Sequence, residues 1–169
     1  MNLSTLIGSG ANPYLEFGWV TAPTTAPQPL TSNAVTTLTV DTKLADTGNF
    51  GSVASNQITL AAGTYYFEGN CPMVNTSGGW SSYILSLRKN VTTTPVIVSS
   101  STASWVVSGV ATGLKGQITI GSSTIFDMTV IVYGSSYVTE HRSGVYNTLF
   151  TLGTAGADQR ATLKLWKLA

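Results

Sequence analysis

The stretch TIFDMTVIVY, residues 124–133, alternates with a period of two. Phe126, Met128, Val130 and Val132 fall on one face of an extended chain, and Ile125, Asp127, Thr129, Ile131 and Tyr133 on the other. Both faces are largely apolar. Such a strand needs cover on two sides, one face packing on an opposing sheet and the other on a second chain, so the pattern points to a layered β structure that self-associates. After Ser32 a strand-and-turn rhythm of roughly 8 to 14 residues recurs, the spacing of a sandwich or barrel. Strands are expected over 34–40, 55–60, 63–72, 82–89, 96–101, 105–110, 113–120, 124–133 and 162–168. The long segment 135–160, with room for a further short strand at 147–152, is too extended for a hairpin connection and holds the single histidine, His141.

The composition agrees with strands rather than helices. Only 9% of the 169 residues are charged, and 26 Thr and 19 Ser supply most of the polar surface. Hydroxyl-bearing, β-branched and aromatic side chains suit a pleated, half-buried surface. A net charge of +1 without a basic run gives no field to gather phosphates, which argues against nucleic-acid binding. The longest apolar run, 128–133, has a strand's length, and the N-terminus lacks the basic and apolar regions of a secretion signal, so neither a membrane nor a secretory route is expected. One cysteine, Cys71, allows no internal disulfide and reads as a buried, inert thiol in a chain made in a reducing cytoplasm.

Residues 1–33 differ from the rest: IGSGANP, then LEFGWV, then APTTAPQPL, with Glu16 as the one charge before Asp41. Prolines at 23, 27 and 29 favour extended backbone that cannot occupy a central sheet position. An N-terminal arm over 1–33 followed by a β domain over 34–169 is therefore expected. Tyr14, Leu15, Phe17 and Trp19 are its natural anchors, either on another protein or folded back on their own domain.

Little in the sequence suggests chemistry. One His, one Cys and seven scattered acids make a metal centre or cofactor site unexpected. His141 has no nucleophile-elbow context, and its expected role is pairing with Glu140 or a neighbouring chain. Glu68 and Asp127 lie on expected strands and would form a glycosidase pair only if they met in a cleft. IGSG lacks the strand and helix of a phosphate loop. The sequons at Asn2, Asn75 and Asn90 carry no weight in a Ser/Thr-rich chain. No catalytic, cofactor or metal residue is assigned, and the chain is expected not to be an enzyme.

The run DTGNFGSVASNQITLAAGTYYFEG, residues 46–69, resembles the C1q/TNF-like jelly roll, in which a TG-x-F turn and a strand are followed by Gly-x-Y-Y-F on the next strand. Gly48 and Phe50 match the first part; Gly63, Tyr65, Tyr66 and Phe67 match the second. Gly63 permits the reversal, while Tyr65 and Phe67 share the face that fills the space between sheets. Together with GQITI, STIFDMTV and the terminal ATLKLWKLA, the run is similar to the small C1q-like domains of tailed-bacteriophage head-fibre, tail-fibre and decoration proteins. That resemblance spans about residues 35–169 and matches 135–160 poorly.

It implies an all-β jelly-roll sandwich assembled as a homotrimer, with Tyr66, Glu68, Tyr133 and Trp166 as interface candidates. The function it implies is that of a virion structural protein: a capsid decoration, cement or short head-fibre protein held by its N-terminal arm to the major capsid protein or another virion component. The short stretch before the domain favours this reading over a receptor tip carried on a long shaft. The other reading is a receptor- or host-glycan-binding module of a tail or head fibre, with Trp80, Tyr137, His141, Arg142 and Tyr146 as loop candidates.

Overall fold

A computed structural model of the chain describes residues 12–21, 28–75, 80–90, 95–98, 102–105, 109–134, 137–139 and 158–168. Among the described residues there are strands and no helix. The strands are β1 Tyr14–Thr21, β2 Gln28–Leu30, β3 Val35–Thr37, β4 Thr42–Asp46, β5 Gly51–Ala54, β6 Gln57–Leu60 and β7 Gly63–Asn75. They continue with β8 Trp80–Lys89, β9 Pro95–Val98, β10 Thr102–Trp105, β11 Gly109–Ile120, β12 Thr124–Gly134, β13 Tyr137–Thr139 and β14 Asp158–Lys167.

All ladders are antiparallel and form two sheets. In the first, β11 runs along one side of the long β7, whose other side takes β14 over residues 65–70 and β13 at residues 74–75. Beyond these lie β1 on β14, β4 on β1, and β2 on β13. In the second, β12 is central, with β8 on one side and β6 and β3 on the other; β5 adds to β6, and β9 and β10 add to β8. The chain passes repeatedly from one sheet to the other, as between β7 and β8 and between β11 and β12, the crossing pattern of a jelly roll.

Period-two alternation decides what fills the space between the sheets. Leu15 and Phe17 of β1, Tyr65, Phe67 and Met73 of β7, and Leu163 and Leu165 of β14 meet Tyr83, Leu85 and Leu87 of β8 and Phe126, Met128, Val130 and Val132 of β12, all without solvent exposure. The DTGNF turn locks onto this core. Phe50 is buried with its ring 5.4 Å from that of Tyr65, and a Cβ at Gly48 would stand 2.6 Å from Pro13 Cβ. Burial alone would raise the Asp46 carboxyl, but the Lys43 ammonium at 3.0 Å and the backbone N–H groups of Asn49 and Gly48 hold it below the ordinary aspartate value. A group depressed in this way adds stability above its unfolded pKa and loses it as pH falls through the folded one. The β5–β6 hairpin turns on Ser55 and Asn56 at φ 50° and 63°, and Gly63 opens β7 at φ 155°.

The N-terminal region departs from expectation. Residues 14–21 are not an arm: β1 lies between β14 and β4 inside the first sheet, and the proposed anchors Leu15 and Phe17 are fully buried in their own domain. A boundary at residue 33 would cut through the sandwich, since β2 also joins it and Leu30 is buried. Pro23 and Pro27 fall between β1 and β2 in sequence and belong to neither strand; Pro29 sits in β2. Elsewhere, 34–40 is a strand only at Val35–Thr37, residues 55 and 56 are turn, and the strand read at 105–110 straddles the end of β10 and the start of β11. β1, β2, β4, β5 and β13 were not expected, and 147–152 lies outside the described residues.

Phe17→Ala should lower unfolding free energy by about 3–5 kcal/mol, the usual cost of emptying a buried aromatic site. Removing residues 1–29, and with them β1 and most of β2, should abolish cooperative thermal unfolding followed by circular dichroism.

Candidate functional site

Because Leu163 and Leu165 point inward, Lys164 and Trp166 must point away from the core, and the same parity sends Tyr14 and Glu16 of β1, Tyr66 and Glu68 of β7, and Lys115 and Gln117 of β11 to the outward face of the first sheet. The registers then arrange them in rows across four strands. Tyr14 stands opposite Trp166, Trp166 opposite Tyr66, and Tyr66 opposite Gln117. One position along, Glu16 faces Lys164, Lys164 faces Glu68, and Glu68 faces Lys115. The next row, Gly18, Thr162, Asn70 and Gly113, is small and uncharged.

The aromatic row is a packed unit. The Trp166 ring lies 5.3 Å from Tyr14 and 5.7 Å from Tyr66, tilted by 47° and 40°. The rows are tied together: Tyr14 Oη donates to Glu16 Oε2 at 2.5 Å, and Tyr66 Oη donates to Glu68 Oε1 at 2.9 Å. Burial, and then the hydrogen bond and charge of the neighbouring glutamate, push both phenols above the ordinary tyrosine value, so they remain neutral donors. Lys164 Nζ sits 3.8 Å from Glu16 Oε1. The three rings are half-buried, leaving apolar edges open on a sheet face whose charges are paired in register.

Such a face suits binding. Glu16 and Glu68 are separated by the whole of β14, roughly 10 Å across two inter-strand steps, and they stand on a sheet surface with tyrosine hydroxyls on both. Glu68 and Asp127, the pair that would have to meet for hydrolysis of a glycoside, lie on opposite outer faces of the sandwich, and Asp127 instead accepts a hydrogen bond from Asn90 Nδ2 at 2.9 Å. Among the described residues no three His, Cys, Asp or Glu side chains converge as a metal site, and no helix is long and apolar enough to cross a membrane. Burial pushes the Cys71 thiol up to about 12.

Three of the four expected interface residues, Tyr66, Glu68 and Trp166, thus stand together, joined by Tyr14, Glu16, Lys164 and Lys115. The fourth, Tyr133, does not: it belongs to β12 on the outer face of the second sheet, 45% exposed. Tyr14, expected as a particle anchor, belongs to the aromatic row, and Trp19 lies on β1 at its bulge. Trp80 opens β8 and Tyr137 opens β13, while His141, Arg142 and Tyr146 lie outside the described residues.

The sandwich also has two distinct ends. Pro13 O accepts from Lys167 N at 3.0 Å and Thr64 O from Leu168 N at 2.7 Å, so the first and last described residues share the end that carries the 47–50 and 121–123 turns. At the opposite end Trp80 pairs with Trp105, Gly109 with Val74, and Tyr137 with Asn75.

No protein-family model matches the chain, and no curated protein sequence matches it significantly. Solved structures do share its fold. Murine APRIL superposes with a TM-score of 0.54 at 10% identity, covering 92% of this chain and 98% of that one. The vertex protein P5 of PRD1 gives 0.53 at 13% identity, covering 95% and 100%, and Eiger TNF from S. frugiperda gives 0.51 at 8%, covering 93% and 94%. The chain is an all-β jelly-roll sandwich of the TNF-like kind.

The Cys71 thiol should resist a water-soluble disulfide reagent at pH 8 in the native protein and react fully in denaturant, as an absorbance assay would record.

Proposed function

We propose that the chain is a non-enzymatic virion structural module that forms a homotrimer through the outward face of its first sheet. The observation that carries this reading is the pair of rows on that face: an aromatic strip with open apolar edges beside four charges already matched in sign. Interfaces favour aromatic residues, and charges within them are tolerated when paired. The likeness to the PRD1 vertex protein P5 supports a place on a virus particle, as a capsid decoration, cement or short head-fibre protein.

Attachment is assigned to residues 1–11, which precede the described end shared by both chain termini, in place of an arm extending to residue 33. A major capsid protein or other virion protein is the partner. Three such segments on one rigid trimer would act with high effective concentration at neighbouring capsid sites. The opposite end of the sandwich, where Trp80 opens β8 and Tyr137 opens β13, would then face outward, and that polarity favours a second role for these two residues, together with His141, Arg142 and Tyr146 of the following segment in sequence, in contact with a host-surface glycan or receptor.

Light scattering on a sizing column should give three times the chain mass of 17.7 kDa at micromolar concentration. Trp166→Ala should weaken association by about 2 kcal/mol or more, as expected for a central aromatic anchor, and Tyr133→Ala by less than about 0.5 kcal/mol. A monomeric wild type would overturn the trimer. Particles incubated with protein lacking residues 1–11 should remain undecorated; normal occupancy would overturn the attachment.

A further inference from the structure

Of the chain's eight basic and seven acidic residues, two of each stand in one row, Glu16, Lys164, Glu68 and Lys115, on four adjacent strands with signs alternating at every step. In so charge-poor a chain that concentration asks for a reason. We propose that this row makes self-association depend on ionised glutamates, so that the assembly opens in acid. The inference rests on the reading that this sheet face is where copies of the chain meet.

The surroundings define the electrostatics. Above the row are Tyr14, Trp166, Tyr66 and Gln117, and below it Gly18, Thr162, Asn70 and Gly113; Glu16 has Ala45 of β4 on its other side. The other charges on these strands are the Lys43–Asp46 pair on β4, matched at 3.0 Å, Asp158 and Arg160 at the far end of β14, and Lys167, whose ammonium lies 6.0 Å from the centre of the core-side Tyr65 ring. The hydroxyls of Tyr14 and Tyr66 fix the two carboxylates beside the lysines.

At neutral pH the row sums to zero charge. A second copy covering the face strips water from it, and the charges survive that because each carboxylate has a lysine opposite. With both glutamates protonated, two ammonium groups per chain would be left uncompensated in the contact, six in a trimer. Association is therefore complete while the carboxylates are ionised and is lost as pH falls through their titration in the assembly.

The test follows mass by light scattering from about pH 7.5 to about pH 3, a span that passes through and below the ordinary glutamate range, with near-ultraviolet circular dichroism to confirm that the fold persists. Wild type should be assembled at the upper limit and dissociate at the lower. Glu16→Gln with Glu68→Gln, a neutral copy of the acid state, should associate on the order of 10²-fold more weakly at every pH. Lys115→Met with Lys164→Met should invert the profile, assembling in acid and opening at neutral pH. Joining all four substitutions should restore association and erase the pH dependence.

A wild-type assembly indifferent to acid, or acid dissociation that persists in the fourfold variant, would overturn the inference. Should the fourfold variant not fold, the glutamine pair decides: association as tight as wild type at neutral pH overturns it. A wild type that is monomeric at neutral pH would instead overturn the self-association reading itself.

Discussion

The placement of β14 between β7 and β1 governs both the interior and the surface. Its register puts Leu163 beside Phe17 and Leu165 beside Phe67, so three strands drive their apolar residues into the same layer. The same pairing obliges Lys164 and Trp166 to stand outside, between Glu16 and Glu68 and between Tyr14 and Tyr66. A slip of one residue would exchange the two sets, exposing leucines and burying a lysine, so packing enforces the surface rows at no additional cost in specificity. Core and outward face are two sides of one alignment.

That coupling explains which parts of the structure could be read from the sequence. The DTGNF turn and the GTYYF strand were legible because the chemistry is local: Gly48 has no room for a side chain beside Pro13, and Tyr65 and Phe67 share parity. The alternation of β12 was equally plain. What parity cannot supply is the sheet to which a face belongs, and Tyr133, outward in the sequence, is outward on the wrong side of the sandwich for the contact assigned to Tyr66 and Trp166. The charge row was invisible for the same reason, since Glu16 and Lys164 are adjacent only through a ladder spanning most of the chain.

The N-terminal error has a different origin. Glycine and proline around LEFGWV suggested an extended arm, yet Leu15 and Phe17 turn inward on either side of an outward Glu16 before the bulge at residues 18–20. Pro23 and Pro27 lie after the strand and leave its hydrogen bonds intact, and the single charge, Glu16, is the one that finds a lysine on the neighbouring strand. Tertiary pairing overrode composition, as it does where a short segment completes an otherwise open sheet.

Because the Pro13 carbonyl and the Lys167 amide are hydrogen-bonded neighbours, the polypeptide enters and leaves this sandwich through a single doorway. A fold built that way can be spliced into a loop of a larger host protein without prying the host's ends apart, the geometry that domain insertion favours. It can equally carry a fused passenger at either terminus on the same side, leaving the whole opposite pole unobstructed for display.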